Sequence, residues 1–239
     1  LVGLLNEYLT AMCDIIAESG GTIDKFEGDA IIGFWGAPLE QPDHAVRACY
    51  SIIDQQKFLV PFRQEQIDKG WLPVEFTVRM GVNTGMMIVG NMGSSQRMDY
   101  TMMGDAVNLA ARLEGANKFY KNHQMISQST YEQAKDFIDT RELDTIRVVG
   151  KNEPVTVYDV IDRKNQTSGV MADVVPIYLQ GLQKYKELDF VGAKQLFEKA
   201  LTVLETDGPS ITYVDRCQHF IDNPPAEDWD RVWTHTEKG

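Results

Sequence analysis

Lys25 and Asp29 stand four residues apart in the run "GGTIDKFEGDAIIGFWG", residues 20–36, on either side of a Glu27-Gly28 step. Ile23 and Phe26 precede that step, and Ala30, Ile31, Ile32, Phe34 and Trp35 follow it. The pattern predicts a β-hairpin with buried strands and polar side chains gathered near the turn. Taken alone, the pair also reads as a charged turn, since Asp and Gly are ordinary turn residues. Further groups able to do chemistry are Arg79, then Thr101, Asn108 and Arg112, then Lys151 in "VVGKNEPV". Asn108 and Arg112 are four apart on a predicted helix and share one face. Singly, each has a structural reading: a helix face bonded to a neighbour, a solvated strand arginine, a turn lysine. A net charge of −12 argues against a nucleic-acid backbone as partner, yet allows a local basic site for a small phosphate ligand.

The elements that must position these groups follow from periodicity. Leu1, Leu4, Leu5, Tyr8, Leu9, Met12, Ile15 and Ile16 are helically spaced, and Gly20-Gly21 ends that helix. After the hairpin, Asp43 is placed as N-cap of a helix over "HAVRACYSIIDQQKFL". Val74, Phe76, Val78, Met80 and Val82 alternate, which predicts a half-buried strand with Arg79 on its opposite face. "MMIVGNMG" and "SSQRMDYTMMG" read as strands, and "DAVNLAARLEGANKF" as a helix in which Asp105 serves as cap. "HQMISQ", "STYEQAKDF" and "IRVVGKNEPVTVYDVI" read as strand, short helix and strand pair. Such irregular alternation fits an α+β fold with a mixed or antiparallel sheet. Beyond "RKNQTSGVMAD", which reads as a linker, "IYLQGLQKYKELDFVGAKQLFEKALTVLE" has the spacing of a tetratricopeptide-like helix pair. One such unit must pack on the main domain or on a partner, and the Trp-bearing tail "NPPAEDWDRVW" is expected to dock.

The totals narrow the class. The chain has 239 residues, 43% hydrophobic and 24% charged, ample for a globular core. Cys13, Cys49 and Cys217 form no C-x-x-C pair, so a reducing compartment is expected and no zinc site. His44, His123, His219 and His235 show no ligand spacing. No apolar run reaches the roughly 18–20 residues that span a bilayer.

Set together, "GGTIDKFEGDAIIGFWGAP", "RMGVNTG", "VGNMGSSQRMDYTMMGDAVNLAARLE" and "VVGKNEPVTVYDV" resemble the class III nucleotidyl cyclase catalytic domain, in order and spacing, over residues 1–161. The resemblance implies a ferredoxin-like cyclase domain over 1–162, a linker over 163–172 and a helical extension over 173–239. It implies an adenylyl cyclase that turns ATP into 3′,5′-cyclic AMP and pyrophosphate, in a homodimer with interfacial sites. Asp29 matches a ligand of two divalent metal ions, Mg²⁺ or Mn²⁺. Lys25 matches the lysine that donates to adenine N1, and Thr101 the partner that accepts from the exocyclic amine. Guanylyl members carry Glu and Cys at those places. Asn108 would orient the ribose and Arg112 would stabilise charge on the α-phosphate. Arg79 and Lys151 would hold the β- and γ-phosphates. Asp29 and Arg79 of one protomer would face the other five residues of its partner. Thr at the base-reading position also occurs in a subgroup often stimulated by bicarbonate. A cytoplasmic location and an upstream sensor domain fit the same picture, with no direct membrane contact in this chain.

In that family the second metal-binding aspartate lies on the first strand, in a run such as F-x-D-I ahead of the first helix. The chain opens inside a helical pattern without a methionine, so that strand and its carboxylate are expected upstream of Leu1. None of Asp14, Asp24 or Asp43 stands in a matching context. The alternative is a cyclase-like domain that binds nucleotide or a partner without turnover. A diguanylate-cyclase-like enzyme is disfavoured, because "EGDAI" is not a G-G-D-E-F-type run.

Overall fold

The computed structural model describes residues 2–71, 76–147, 153–226 and 228–233. Helix α1 (Val2–Glu18) buries Leu4, Tyr8, Met12 and Ile16, one residue per turn along a single stripe. Strands β1 (Thr22–Glu27) and β2 (Ala30–Phe34) pair antiparallel. Gly28, at φ +66°, makes the turn between them in a region that a side chain would disfavour. Helix α2 (His44–Asp68) packs on α1 and buries Cys49, Ile52, Ile53 and Leu59. Asp43 stands at its N-cap position but makes no side-chain cap. Its carboxylate instead accepts from Arg47 Nε at 2.7 Å.

The long strand expected over 74–82 shrinks to β3 (Met80–Val82). Residues 74 and 75 lie outside the described residues, and 76–79 form no ladder. Side chains of α2 explain this: Arg63 Nε donates to the Phe76 carbonyl at 2.6 Å and Gln56 Nε2 to the Val78 carbonyl at 3.1 Å. Acceptors used in that way do not pair with a strand.

A second hairpin, β4 (Ile88–Gly93) and β5 (Met98–Met103), leads into α3 (Asp105–Ala116), whose N-cap is Gly104; Asp105 is its first helical residue. A single-turn 3₁₀ segment (Asn117–Tyr120), β6 (Gln124–Ser127), α4 (Gln128–Ala134), β7 (Ile138–Ile146) and β8 (Val155–Arg163) complete this half. The four-stranded sheet runs β3-β6-β8-β7, with β3 and β6 parallel and the other pairs antiparallel. The fold is thus the expected α+β type with a mixed sheet. Strand β7 begins well before the expected "IRVVG". Register shifts at Asp139/Thr140 and Glu142/Asp144 break the two-residue alternation that would reveal it.

Helices α5 (Val170–Lys186), α6 (Phe190–Val203) and α7 (Gly208–Asp222) follow. Asp189 caps α6 by accepting from Gly192 N–H, and Asp207 caps α7 by accepting from Ser210 N–H. Tyr178, Phe197, Tyr213 and Cys217 of these helices share one core with Leu109 and Leu113 of α3 and Leu143 of β7. Trp229 and Trp233 pack against that core. At roughly 1.5–3 kcal/mol for each large side chain buried, the shared core ties the helices firmly to the sheet. Among the described residues no helix is long and apolar enough to cross a membrane.

Candidate active site

The first cluster forms where the two hairpins meet. On β1, Ile23 pairs with Gly33 and Lys25 with Ile32, so Asp24 is an extra residue, a bulge in the ladder. Bulges redirect side chains. Here the Asp24 carboxylate, only 3% exposed, lies 3.6 Å from Lys25 Nζ. Thr101 Oγ1, from β5, donates to the same oxygen, Oδ2, at 3.0 Å. Two predicted site residues from distant segments therefore converge on one carboxylate. Sequence reasoning missed Asp24, and no signal in the local pattern marks a bulge there. Asp29 sits on the exposed β1–β2 turn. Burial, helped by the Asp29 carboxylate, pushes the Tyr8 phenol of α1 up to about 12.

The second cluster is carried by α3. Gly81 of β3 lets this helix lie against the sheet: a Cβ there would stand 2.3 Å from both the Ala110 carbonyl oxygen and the Glu114 nitrogen. Asn117 Nδ2 donates to the Met80 carbonyl at 2.9 Å, and Asn83 Nδ2 to the Ala106 carbonyl at 2.9 Å. The helix is thereby pinned at both ends. Asn108 is exposed on it and Arg112 is half-buried one turn later. Arg112 Nη1 is buried and meets no acceptor among the described residues. A buried donor left unmet costs about 1–3 kcal/mol. Arg79, expected on a strand, precedes β3 and donates from Nε to Glu114 Oε1 at 3.0 Å. Lys151 lies outside the described residues.

Among the described residues, no hydrogen bond or ion pair joins Asp29 to Lys25, Thr101, Asn108, Arg112 or Arg79. A cavity of about 500 Å³ opens between Phe34 of β2, Val82 of β3 and Ala106 of α3, and none of the predicted site side chains among the described residues lines it. Asp29 offers hard oxygen ligands of the kind Mg²⁺ and Mn²⁺ prefer. No group of three or more His, Cys, Asp or Glu gathers to hold a metal among the described residues. One carboxylate does not complete a divalent-metal site, so the residues described here do not fit a metal centre by themselves.

The comparisons with known proteins agree with the fold. The family described as "Adenylate and Guanylate cyclase catalytic domain" matches residues 1–161, and the chain belongs to that family. Adenylate cyclase 1 of Rhizobium meliloti (strain 1021) is 37% identical over 161 residues, 67% of this chain and 24% of that protein. The terminal-differentiation specific adenylate cyclase of Dictyostelium discoideum is 34% identical over 225 residues, covering 91% of this chain and 10% of its own. The crystal structure of the adenylyl cyclase CyaB from P. aeruginosa superposes with a TM-score of 0.63 at 40% identity, over 71% of this chain and 85% of that one. The chain spans about a quarter or less of the length of these two curated relatives.

Proposed function

We propose that this chain forms ATP-specific cyclase sites in a homodimer, converting ATP to 3′,5′-cyclic AMP and pyrophosphate in the cytoplasm. The family includes adenylate and guanylate cyclases, so the fold does not choose the base. The observation that carries the choice is the convergence of Lys25 and Thr101 on Asp24. An ammonium donor beside a hydroxyl acceptor matches adenine, whose N1 accepts and whose amine donates.

Asn108, exposed on α3, would orient the ribose. Arg112 Nη1 supplies a charged donor with no competing acceptor, which suits charge that appears on the α-phosphate only during reaction. Arg79 would exchange Glu114 for a terminal phosphate, together with Lys151. That exchange is inexpensive, because an exposed ion pair is worth only about 0–1 kcal/mol. Asp29 and Arg79 would meet the remaining five residues across the dimer.

A second reading is a domain that binds ATP without turnover. The test is cyclic nucleotide formation with Mn²⁺ and either ATP or GTP. Cyclic AMP from ATP, lost in Asp29→Ala, is the expected result. Cyclic GMP alone would overturn the assignment of the base. No product, with retained binding of 3′-deoxy-ATP, would establish the second reading.

A further inference from the structure

We propose that Asp24 is a positioning residue that sets the choice of adenine over guanine, by fixing what Lys25 and Thr101 can offer to the base. The proposal rests on the reading of those two residues as the base-contacting pair.

The argument begins with the hydroxyl. A threonine hydroxyl has one proton and two lone pairs, so a freely rotating Thr101 could accept from the amine of adenine or donate to O6 of guanine. Thr101 Oγ1 spends its proton on Asp24 Oδ2 at 3.0 Å. Only its lone pairs then remain for a ligand. The same carboxylate oxygen lies 3.6 Å from Lys25 Nζ, whose side chain is otherwise half exposed. A lysine held in this way loses less side-chain freedom on binding, and it presents donors alone to N1, which accepts in adenine but carries a proton in guanine. Both restraints favour adenine, and both come from a side chain 3% exposed at the bulge between Ile23 and Lys25. The bulge redirects the Asp24 side chain, which there meets both Lys25 and Thr101.

The experiment compares wild type with Asp24→Ala, Asp24→Asn and Lys25→Ala. The readouts are the dissociation constants of 3′-deoxy-ATP and 3′-deoxy-GTP, which lack the attacking hydroxyl, and KM and kcat for ATP and GTP. Asp24→Asn keeps the shape, but its amide can donate to Thr101 and free the hydroxyl proton for guanine. The adenine-to-guanine affinity ratio is expected to fall about tenfold in both Asp24 variants, through weaker adenine binding and stronger guanine binding. KM for ATP should rise in step, while kcat changes less. A ratio within about twofold of wild type in Asp24→Asn would overturn the proposal, as would equal losses for both nucleotides. If Lys25→Ala collapses the ratio while Asp24→Asn does not, the base-reading pair stands and only the role of Asp24 falls. If no variant moves the ratio, the reading of Lys25 and Thr101 falls and the proposal with it.

Discussion

Arg141 of β7 donates from Nη1 to Asp207 Oδ1, at the start of α7, at 2.7 Å, with both side chains 3% exposed or less. The same guanidinium donates from Nε to Asp159 of β8 at 2.9 Å and lies over the Tyr178 ring of α5. Beside it, Arg216 of α7 pairs with Asp144 of β7 and with the Tyr120 hydroxyl. Buried charges bridge the sheet to the terminal helices on top of the shared apolar core. Removing one partner strands the other in a medium that solvates it poorly.

Arg141→Ala would leave two buried carboxylates without their guanidinium. A loss of about 3–5 kcal/mol in folding stability is expected, read from urea unfolding by circular dichroism. A loss below about 1 kcal/mol would show that the junction tolerates the unpaired charges and that the helices are held by apolar contact alone.

The same junction predicts how the protein responds to alkali. Burial pushes the phenols of Tyr120, Tyr178 and Tyr213 well above 10. The unfolded chain gives up these protons near pH 10 and the folded chain keeps them. Stability is therefore full below pH 10 and falls as pH rises beyond it, by about 1.4 kcal/mol per pH unit for each such phenol. Urea midpoints measured from pH 9 to 11 should drop steeply, with tyrosinate absorbance at 295 nm rising together with the loss of helix. Ionisation of the whole tyrosine set in a protein that stays folded would contradict this.

Arg112→Ala should lower kcat by on the order of 10²–10³ with little change in KM, because the lost donor acts on charge formed during reaction. Arg112→Lys should recover part of the rate. The unbound protein should lose little stability beyond the packing of the Arg112 stem, since the buried Nη1 satisfies no acceptor there. A proportionate rise in KM instead would assign Arg112 to binding of the ground state.

Gly81→Ala tests whether β3 positions α3. The added methyl would stand 2.3 Å from backbone atoms of that helix, so helix and strand must separate. A cost of about 1–3 kcal/mol is expected. A fall in kcat should accompany it, because Asn108 and Arg112 ride on the displaced helix. Unchanged kcat and thermal midpoint would show that α3 is placed by its ends alone.

The sequence by itself determined the elements whose signals are local. The apolar stripe of α1, the Gly28 hairpin, and the helix that carries Asn108 and Arg112 all lie within a few turns or strands, where side-chain spacing reports the backbone period. Their irregular alternation gave the α+β class, with the sheet left mixed or antiparallel. Tertiary structure decided what depends on partners distant in the chain. Residues 76–79 alternate as a strand would, yet their carbonyls go to Arg63 and Gln56. Arg79 finds Glu114, 35 residues away. Asp24 looks like one more polar residue beside a turn until a bulge and a strand 77 residues further on bring Thr101 to it. Strand register and buried charge pairing are set by which surfaces pack, and a linear pattern carries no record of that choice.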